Sequence, residues 1–369
     1  MLKRSLVLSA VLAATLGTTL AGASVQATAH ASATARGLVV GDARFFPVML
    51  IDQCAPADVA RGKSLGINLI MNESCPGIGP LQQLATMRGS TLAVLPIAAA
   101  RTRGAGLVGW TYPDEPENNG WTPASLAKKL PYRRGNTDGL VTFMTTGGGF
   151  LRLAPYASTQ NAPAVYGSFA RLADMVGFDL YPLGHCQSDL SAVYDAQRAF
   201  VKLAGSTPTF QWIETGPIKP TYCGGFAMTP AELSAEVWLA VAGGARGIGY
   251  FTHTWSPNHQ PFDVSPGIQT AMTQTNALLS SVTPGLLGTT VASSANSPAV
   301  KLVARSGGGK TYVFAVNTMR SDMKAEIQVP ALSNGSVTVL REDRTLPVTN
   351  HALVDHFGPL QVNVYVQTP

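Results

Sequence analysis

Two stretches of the chain hold acidic residues whose types and positions suit chemistry. Residues 108–118 form an apolar run that ends in aromatic residues and then presents the adjacent acids Asp114 and Glu115, with a proline on each side of the pair. Because proline disfavours helix on both sides, we expect neither acid inside a helix. Residues 209–216 carry a second apolar run that ends at Glu214. A single apolar run that ends in acids would be typical of a strand followed by a solvated loop. Two such runs favour a pair of catalytic carboxylates.

The elements that must position these acids are short apolar segments that mostly alternate with helical patterns. Such alternation implies a parallel sheet and fits a (β/α)₈ TIM barrel, in which catalytic residues sit at the C-terminal tips of the strands. A doubly wound open sheet is the main alternative, but no Gly-x-Gly-x-x-Gly follows the first strand. The predicted strands are residues 45–51, 67–71, 91–97, 107–111, 140–146, 175–181, 208–213 and 246–251.

After residue 284 the pattern changes to short strands separated by turns rich in glycine and asparagine. This change predicts a small antiparallel β-sandwich domain. We therefore expect a signal peptide in residues 1–33, a barrel in residues 37–284 and a β-sandwich domain in residues 285–369.

The first residues have the pattern of a secretory signal peptide. A lysine and an arginine precede residues 6–20, which are apolar and small. Three small-x-small cleavage motifs follow, at residues 25–27, 29–31 and 31–33, and the sequence does not choose among them. An uncleaved membrane anchor is the alternative, but the apolar stretch is short for a span. We expect a secreted, extracellular protein with no stable membrane insertion after cleavage.

The composition is that of a folded globular protein, since 46% of the residues are hydrophobic and 13% are charged. Removing Lys3 and Arg4 with the signal peptide lowers the formal charge from +5 to about +3. No basic tract with interleaved aromatic residues is present, so nucleic acid is not an expected partner.

Four cysteines, Cys54, Cys75, Cys186 and Cys223, follow the signal peptide. An even number in an oxidising compartment suggests two disulfides. The first two cysteines follow the first and second predicted strands, and the other two follow the sixth and seventh. Because successive strands are neighbours in a parallel barrel, we predict the pairs Cys54–Cys75 and Cys186–Cys223.

These residues resemble a large clan of retaining glycoside hydrolases built on a (β/α)₈ barrel, with catalytic glutamates after strands four and seven. Residues 110–116 and 211–216 match the two catalytic strand ends, and residues 244–255 match an eighth strand that ends in a sugar-facing tryptophan. Residues 45–48 resemble the first strand of the clan. Where the clan usually has Asn before the acid/base glutamate, this chain has Asp114.

The resemblance implies an enzyme that cleaves O-glycosidic bonds of an oligo- or polysaccharide by a retaining double displacement. It assigns Glu115 as acid/base and Glu214 as nucleophile, with their carboxyl groups about 5–5.5 Å apart. Acids and aromatic residues near other strand ends could bind sugar hydroxyls and stack on sugar rings. These further substrate-binding candidates are Asp114, Asp179, Tyr181, Trp110, Trp212, His253, Trp255 and Glu73, with Asp52 as another acid at a strand tip.

Other functions are weaker alternatives. A non-catalytic carbohydrate-binding protein on the same barrel is one, with Asp114 as a mark of lost chemistry, and a cell-envelope transglycosylase is another. His253 and His259 lack the spacing of metal ligands, so we expect no metal and no cofactor. The sequence contains neither the Gly-x-Ser-x-Gly elbow of esterases nor a nucleotide-binding Gly-x-x-x-x-Gly-Lys-Ser/Thr loop.

Overall fold

The structure, a computed structural model, describes residues 30–129, 139–151, 163–218, 223, 225–255 and 257–368. The predicted signal peptide lies outside these ranges except for its last residues. None of the helices in the described part of the chain is long and apolar enough to cross a membrane.

The first described residues form a three-stranded antiparallel sheet of β1 (Ala31–Thr34), β2 (Gly37–Val40) and β3 (Ala43–Phe45). Ala31 and Leu38 are buried against apolar side chains of the barrel interior. The N–H of Ala31 donates to the C=O of Gly139, which lies just before a barrel strand. This sheet therefore covers the N-terminal end of the barrel.

Within the described residues, eight parallel strands close into a barrel in which each strand pairs with its sequence neighbour and the last pairs with the first. This arrangement confirms the TIM barrel, and each strand lies within a few residues of its predicted position. The barrel strands are β4 (Val48–Ile51), β5 (Leu69–Met71), β6 (Leu92–Pro96), β7 (Leu107–Thr111), β8 (Val141–Gly147), β9 (Met175–Asp179), β10 (Thr209–Glu214) and β11 (Ile248–Phe251).

Most helices around the barrel begin with proline, which suits the first helical turn because its missing N–H would have no partner there. Thr229 caps the helix Pro230–Gly243 in a capping box with Glu232. The helices are α1 (Pro56–Ser64), α2 (Pro80–Met87), α3 (Pro123–Lys129), α4 (Pro163–Ala170), α5 (Ser191–Ala204), α6 (Pro230–Gly243), α7 (Pro266–Ser281) and α8 (Thr283–Leu286).

Large aromatic rings fill the barrel interior opposite glycines. Phe210 pairs in register with Gly177, and Trp212 pairs with Gly249. A Cβ atom at either glycine would lie 2.1 Å from the facing ring. The two glycines therefore make the room that both rings occupy.

A β-bulge in β7 sets the directions of its last side chains. Ala93 pairs with Leu107, but the next residue, Val94, pairs with Gly109, so one residue of β7 is extra and the alternation of faces shifts. As a result Trp110 packs in the layer between strands and helices, while Thr111 lines the cavity at the mouth of the barrel.

The C-terminal residues form two packed antiparallel sheets, which confirms the predicted β-sandwich. One sheet has the order β12-β14-β15-β20-β17-β18 and the other the order β13-β16-β19, with a shared apolar core between them. The strands are β12 (Thr289–Val291), β13 (Ser294–Ala295), β14 (Val300–Gly307), β15 (Lys310–Asn317), β16 (Met323–Gln328), β17 (Gly335–Val339), β18 (Arg344–Val348), β19 (Ala352–Phe357) and β20 (Val362–Gln367).

The β-sandwich packs on α6 of the barrel through buried side chains. Trp238 of α6 stacks on Phe314 at 5.5 Å between ring centroids. Arg305 has no exposed surface and donates to the C=O groups of Val241, Ala245 and Leu286. The guanidinium group thus joins the C-terminal ends of two barrel helices to β14.

Candidate active site

Carboxylate side chains gather at the C-terminal mouth of the barrel, after the first, second, fourth and sixth strands. Three of them line one cavity, two others approach Gly147 at the tip of β8 with their Oε1 atoms, and Asp179 pairs in register with that same glycine. The fourth-strand loop contributes three of them, including Glu117, which the sequence did not single out. This acidic cluster consists of Asp52, Glu73, Asp114, Glu115, Glu117 and Asp179.

A cavity of about 460 Å³ opens at this mouth, which is within the size range of small-ligand sites. Asp52, Glu73 and Asp114 line it together with aromatic side chains that include Trp255. In the described structure no Lys or Arg lines the cavity. The cavity therefore presents acidic and aromatic groups without a compensating cation.

Asp52 links the first two strand tips. Its φ of 47° is unusual for a residue other than glycine. Its Oδ1 accepts hydrogen bonds from the backbone N–H of Glu73 at 2.6 Å and of Ser74 at 3.0 Å. Burial raises the pKa of the Asp52 carboxyl, and the two hydrogen bonds oppose that rise. The loop after β5 is thus fixed beside the cavity.

Glu73 is the second acid of the cavity wall. Thr111, at the tip of β7, donates its hydroxyl to Glu73 Oε1 at 3.3 Å. Burial, and then the neighbouring carboxylates of Asp114, Asp52 and Asp179, raise the pKa of Glu73 well above its usual value. Glu73 therefore keeps its proton to a higher pH than an ordinary glutamate, since like charges in a small space cannot all remain ionised.

Asp114 opens onto the cavity from the loop after β7. Asp114 is exposed, yet surrounding protein atoms partly desolvate its carboxyl group. Desolvation first, and then the charges of Glu115 and Asp52, raise the pKa of Asp114 to about 7. A carboxyl group with this pKa is divided between the acid and its conjugate base near neutral pH.

Glu115 has a φ of 38° and directly precedes Pro116. Residues before proline favour extended backbone, so this left-handed conformation is strained. Its Oε2 accepts a hydrogen bond from Asn118 Nδ2 at 3.0 Å, and its Oε1 would lie 2.9 Å from a Cβ added at Gly147. The Glu115 side chain thus rests over the tip of β8, half-buried at the edge of the cluster.

The loop after β7 is also tied to β8 by Glu117, whose Oε1 accepts the N–H of Gly147 at 2.5 Å. Burial raises the pKa of Glu117 to about 8. At neutral pH Glu117 is therefore mostly protonated.

Asp179 and Tyr181 lie at the end of β9. Burial and the charges of Asp114, Glu115 and Glu117 raise the pKa of Asp179 well above its usual range, while the Tyr181 hydroxyl opposes that rise. The Tyr181 hydroxyl also feels the charges of Asp179, Asp114, Glu115 and Glu214, which with burial raise its pKa. Tyr181 therefore adjoins both the acidic cluster and Glu214.

Glu214, the last residue of β10, has no exposed surface. Its Oε1 accepts the N–H of Leu183 at 2.8 Å, and its Oε2 accepts the N–H of Gly184 at 2.7 Å. Burial raises the pKa of Glu214 to about 7, and the two backbone hydrogen bonds act against that rise. In the described cavity lining neither Glu214 nor Glu115 is present.

Both predicted disulfides are confirmed, and both lie on loops at this mouth. Cys54 and Cys75 join the loops after β4 and β5, with a Cα–Cα distance of 5.6 Å. Cys186 and Cys223 join the loops after β9 and β10 at 5.0 Å. The second bridge restrains the loop whose N–H groups hold Glu214.

Among the predicted aromatic contacts, Trp255 is 49% exposed and lines the cavity. It stacks on His259 with ring centroids 4.2 Å apart, and His259 stacks on His253. His253 also lines the cavity, with its Nε2 3.0 Å from the C=O of Ile51 and its Nδ1 2.9 Å from His259 Nε2. Because Nε2 must donate to that carbonyl, Nδ1 accepts a hydrogen bond from His259. This bond fixes the His259 ring, on which the ring of Trp255 stacks.

Trp110 and Trp212 are buried away from the cavity. Trp110 has no exposed surface because the β7 bulge turns it toward the helices. Trp212 fills the barrel interior and donates its Nε1–H to Thr145 Oγ1 at 3.0 Å. Neither ring offers a face to a sugar in this structure.

Some cavity residues carried no signal that the sequence alone would reveal. Thr111 is an ordinary strand residue whose direction depends on the bulge, and Phe251 is an apolar residue at a strand end. Within the described residues, no group of three or more His, Cys, Asp and Glu side chains is arranged to hold a metal ion.

Comparison with known proteins shows a shared fold. No family model and no curated protein matches the sequence. A GH30 endoxylanase from Clostridium papyrosolvens C71 is 12% identical with a TM-score of 0.52, and the match covers 88% of this chain and 97% of that one. An α-amylase from Geobacillus thermoleovorans, solved with acarbose, is 9% identical with a TM-score of 0.57, covering 87% and 98% of the two chains.

A third solved structure, a GH27 β-L-arabinopyranosidase from Geobacillus stearothermophilus in complex with arabinose, is 9% identical. Its TM-score is 0.53, and the match covers 88% of this chain and 97% of that one. The chain therefore has the (β/α)₈ fold that glycoside hydrolases of several families share. At such low identity the likeness extends to the fold alone.

Proposed function

We propose that the protein is a glycoside hydrolase that cleaves O-glycosidic bonds of an oligo- or polysaccharide. The observation that carries this proposal is the acidic cluster beside a cavity with an exposed tryptophan, at the end of the barrel where catalytic residues lie. Glycoside hydrolysis needs one protonated carboxyl group and one carboxylate. The pKa of Glu73 is raised, and that of Asp114 is raised to about 7, so a share of the Asp114 carboxyl groups is protonated near neutral pH.

We assign Glu115 as acid/base and Glu214 as nucleophile of a retaining double displacement. In this mechanism the acid protonates the leaving oxygen while the carboxylate attacks the anomeric carbon, and water then hydrolyses the covalent intermediate. Asp114 is a second candidate for the acid, because it lines the cavity and has a pKa of about 7. Since Glu214 has no exposed surface, its attack requires substrate binding to uncover the carboxylate.

The substrate should lack negative charge near the cleaved bond. The cavity wall carries Asp52, Glu73 and Asp114, and no Lys or Arg of the described residues lines it. A uronic acid or a sulfated sugar would add a negative charge beside these carboxyl groups, whose raised pKa values already reflect burial and mutual repulsion, whereas a neutral or amino sugar would not. Trp255 would stack on the C–H face of a sugar ring.

We also propose that the protein acts outside the cell. The N-terminal pattern of a signal peptide supports this. The two disulfides at the mouth of the barrel support it as well, because such bonds persist in oxidising compartments.

One observation favours a non-catalytic carbohydrate-binding protein as the second candidate. Glu214 is fully buried and both of its oxygens accept backbone hydrogen bonds, which would also suit a purely structural role. In that case the cavity and Trp255 would bind sugar without cleaving it.

Two measurements on the secreted protein separate these functions. The first is a hydrolysis screen of neutral, amino-sugar and uronic-acid glycans, in which we expect cleavage outside the uronic-acid group. The second is covalent labelling with a fluorosugar or glycosyl epoxide, followed by peptide mapping. A label on Glu214 supports the assignment of Glu214 as nucleophile. A label on Asp114 would show that the nucleophile is Asp114, in the loop after β7.

The absence of both cleavage and label, together with retained glycan binding, would establish the binding protein instead. A transglycosylase would be labelled but would transfer the sugar to another sugar in preference to water.

A further inference from the structure

We propose that Glu236 is a protonated carboxylic acid that donates a hydrogen bond to Glu214 and thereby holds Glu214 ionised and oriented. Glu236 lies in the second turn of α6 and, like Glu214, has no exposed surface. The catalytic consequence rests on the proposed role of Glu214 as nucleophile. The shared proton itself does not depend on that role.

The position of Glu236 follows from the packing of the barrel. Helix α6 packs directly on β10, and Glu214 is the last residue of that strand. The carboxyl groups of Glu236 and Glu214 lie within hydrogen-bonding reach of each other. Both are removed from water, so their interaction is stronger than on the surface.

A proton must lie between the two carboxyl groups. No N–H or O–H group of the described residues donates to either oxygen of Glu236. Two carboxylates have no hydrogen to share, and two adjacent buried negative charges would repel each other strongly. One of the pair is therefore neutral and serves as donor to the other.

The neutral member is Glu236. Glu214 accepts N–H bonds from Leu183 and Gly184, and such bonds stabilise the charged form of a carboxylate. Glu236 accepts none from the described residues, so burial and the neighbouring Glu214 raise its pKa well above the usual value. The hydrogen bond from Glu236 in turn lowers the pKa of Glu214.

The other charged groups around the pair do not reverse this assignment. Glu232, one turn earlier on α6, raises the pKa of both Glu214 and Glu236. Its charge is offset by Arg320 of the β-sandwich, whose Nη2 lies 2.6 Å from Glu232 Oε1. Tyr181 adjoins Glu214 on the other side, and its raised pKa keeps the phenol neutral.

Glu236 is thus a positioning residue. With its O–H bond added to the two backbone N–H bonds, Glu214 has three donors that fix its direction. A carboxylate held in this way needs little reorganisation before it attacks. Loss of the Glu236 donor would raise the pKa of Glu214 and leave less of the nucleophile ionised at a given pH.

Infrared spectroscopy tests the shared proton without reference to activity. We would compare the full-length secreted protein with Glu236→Gln at neutral pH. The expected difference is the loss of a protonated-carboxyl band, while the control Glu326→Gln, an exposed glutamate of β16, loses a carboxylate band. Loss of a carboxylate band in Glu236→Gln would overturn the proposal.

Kinetics test the catalytic consequence. Glu236→Gln keeps an N–H donor, so its kcat and the acidic limb of its pH profile should stay near wild type. Glu236→Leu removes the donor, and kcat should fall about ten- to a hundredfold, the worth of one hydrogen bond to a charged group, with the acidic limb moved to higher pH. Equal profiles for the Leu and Gln variants would refute the positioning role. If the wild-type protein proves inactive, the infrared result still decides the shared proton, and only the proposed function fails.

Discussion

Glu115 combines the proposed acid role with a strained backbone, so its side chain should be changed without altering its size. In Glu115→Gln, hydrolysis of substrates with poor leaving groups should fall about a hundred- to ten-thousandfold, the usual contribution of a general acid. Substrates with activated leaving groups need no proton and should lose much less in the first step. Steady-state kinetics on both substrate types measure this difference.

Asp114→Asn is the matched control, because Asp114 is the neighbouring acid that lines the cavity. If the leaving-group dependence appears in Asp114→Asn and not in Glu115→Gln, Asp114 is the acid. Equal losses on both substrate types in Glu115→Gln, with the fold intact, would contradict the assignment of Glu115.

Trp255 is the exposed aromatic side chain beside the cavity, and a sugar stacked on it gains binding energy in the ground state. Trp255→Ala should raise KM about three- to tenfold, which corresponds to the worth of one aromatic contact. The value of kcat should change little, because the contact is equally strong before and during reaction. Trp255→Phe keeps an aromatic face and should recover most of the affinity. A fall in kcat with unchanged KM would show that Trp255 acts on the reaction step.

Among the elements, β7 was predictable from the sequence as a strand, but the directions of its last side chains were not. Its apolar run predicts a strand with acids at the tip, and the structure confirms the strand at Leu107–Thr111. Strict alternation would place Val108 and Trp110 on one face. The bulge opposite β6 reverses the later residues, and its cause is a pairing with a distant segment that local sequence does not encode.

The same limit applies to Glu214. Its place at the end of an apolar run was predictable, and β10 ends there. The burial of Glu214 was not predictable from the local sequence. It depends on the N–H groups of Leu183 and Gly184 and on Glu236, which belong to a loop and a helix elsewhere in the chain.

The N-terminal sheet bears on the choice among the three cleavage motifs. The C=O of His30 accepts the N–H of Gly41, and β1 pairs with β2 along its whole length. Cleavage after residue 31 would remove the His30 hydrogen bond and the first residue pair of β1 and β2, and cleavage after residue 33 would remove two further pairs, including the one with Leu38. We therefore expect the predicted signal peptide to be cleaved before Thr28, and the intact mass of the mature protein measures this directly. A start at residue 32 or 34 would show that the sheet is dispensable.

Arg305 joins the β-sandwich to two barrel helices, and the structure gives it no exposed surface. In Arg305→Met, the C=O groups of Val241 and Ala245 lose their charged donor, whereas Leu286 keeps the hydrogen bond from Arg246. We expect the free energy of unfolding to fall by about 3 kcal/mol or more, since buried acceptors lose bonds to a charged group. Denaturant unfolding measures this change, with the exposed Lys324→Met as control. A loss no greater than that of the control would mean that Arg305 does not contribute to holding the two domains together.

For the whole molecule, the acidic cluster and the buried Glu214–Glu236 pair make stability depend on pH. The pKa values of Asp114 and Glu214 are raised to about 7 and that of Glu117 to about 8, and those of Glu73, Asp179 and Glu236 are also raised. Each group binds its proton more tightly in the folded chain than in the unfolded chain. The resulting stabilisation is complete below the ordinary carboxyl pKa of about 4 and is lost as pH rises through the folded values.

The melting temperature should therefore be highest in mildly acidic solution and fall between about pH 5 and 9. Calorimetry across this range measures the trend. Glu117→Gln keeps the oxygen that accepts the Gly147 N–H and should make the curve less steep between about pH 5 and 8, where only the folded chain retains the Glu117 proton. The pKa of Glu232 is lowered, so this residue makes stability increase with pH, but only at pH values below about 5. A melting temperature that rises toward pH 9 would contradict the expectation.

The match of rings to glycines inside the barrel limits how this sequence can change over evolutionary time. A methyl group at Gly177 or Gly249 would meet the ring of Phe210 or Trp212 at 2.1 Å, so neither glycine can become alanine while its ring remains in place. Loss of a ring, in turn, leaves an empty volume opposite a glycine that cannot fill it. In each pair, a substitution of the glycine alone or of the aromatic residue alone therefore destabilises the barrel. A descendant with a differently filled barrel must acquire both changes of a pair together, or pass through a less stable ancestor.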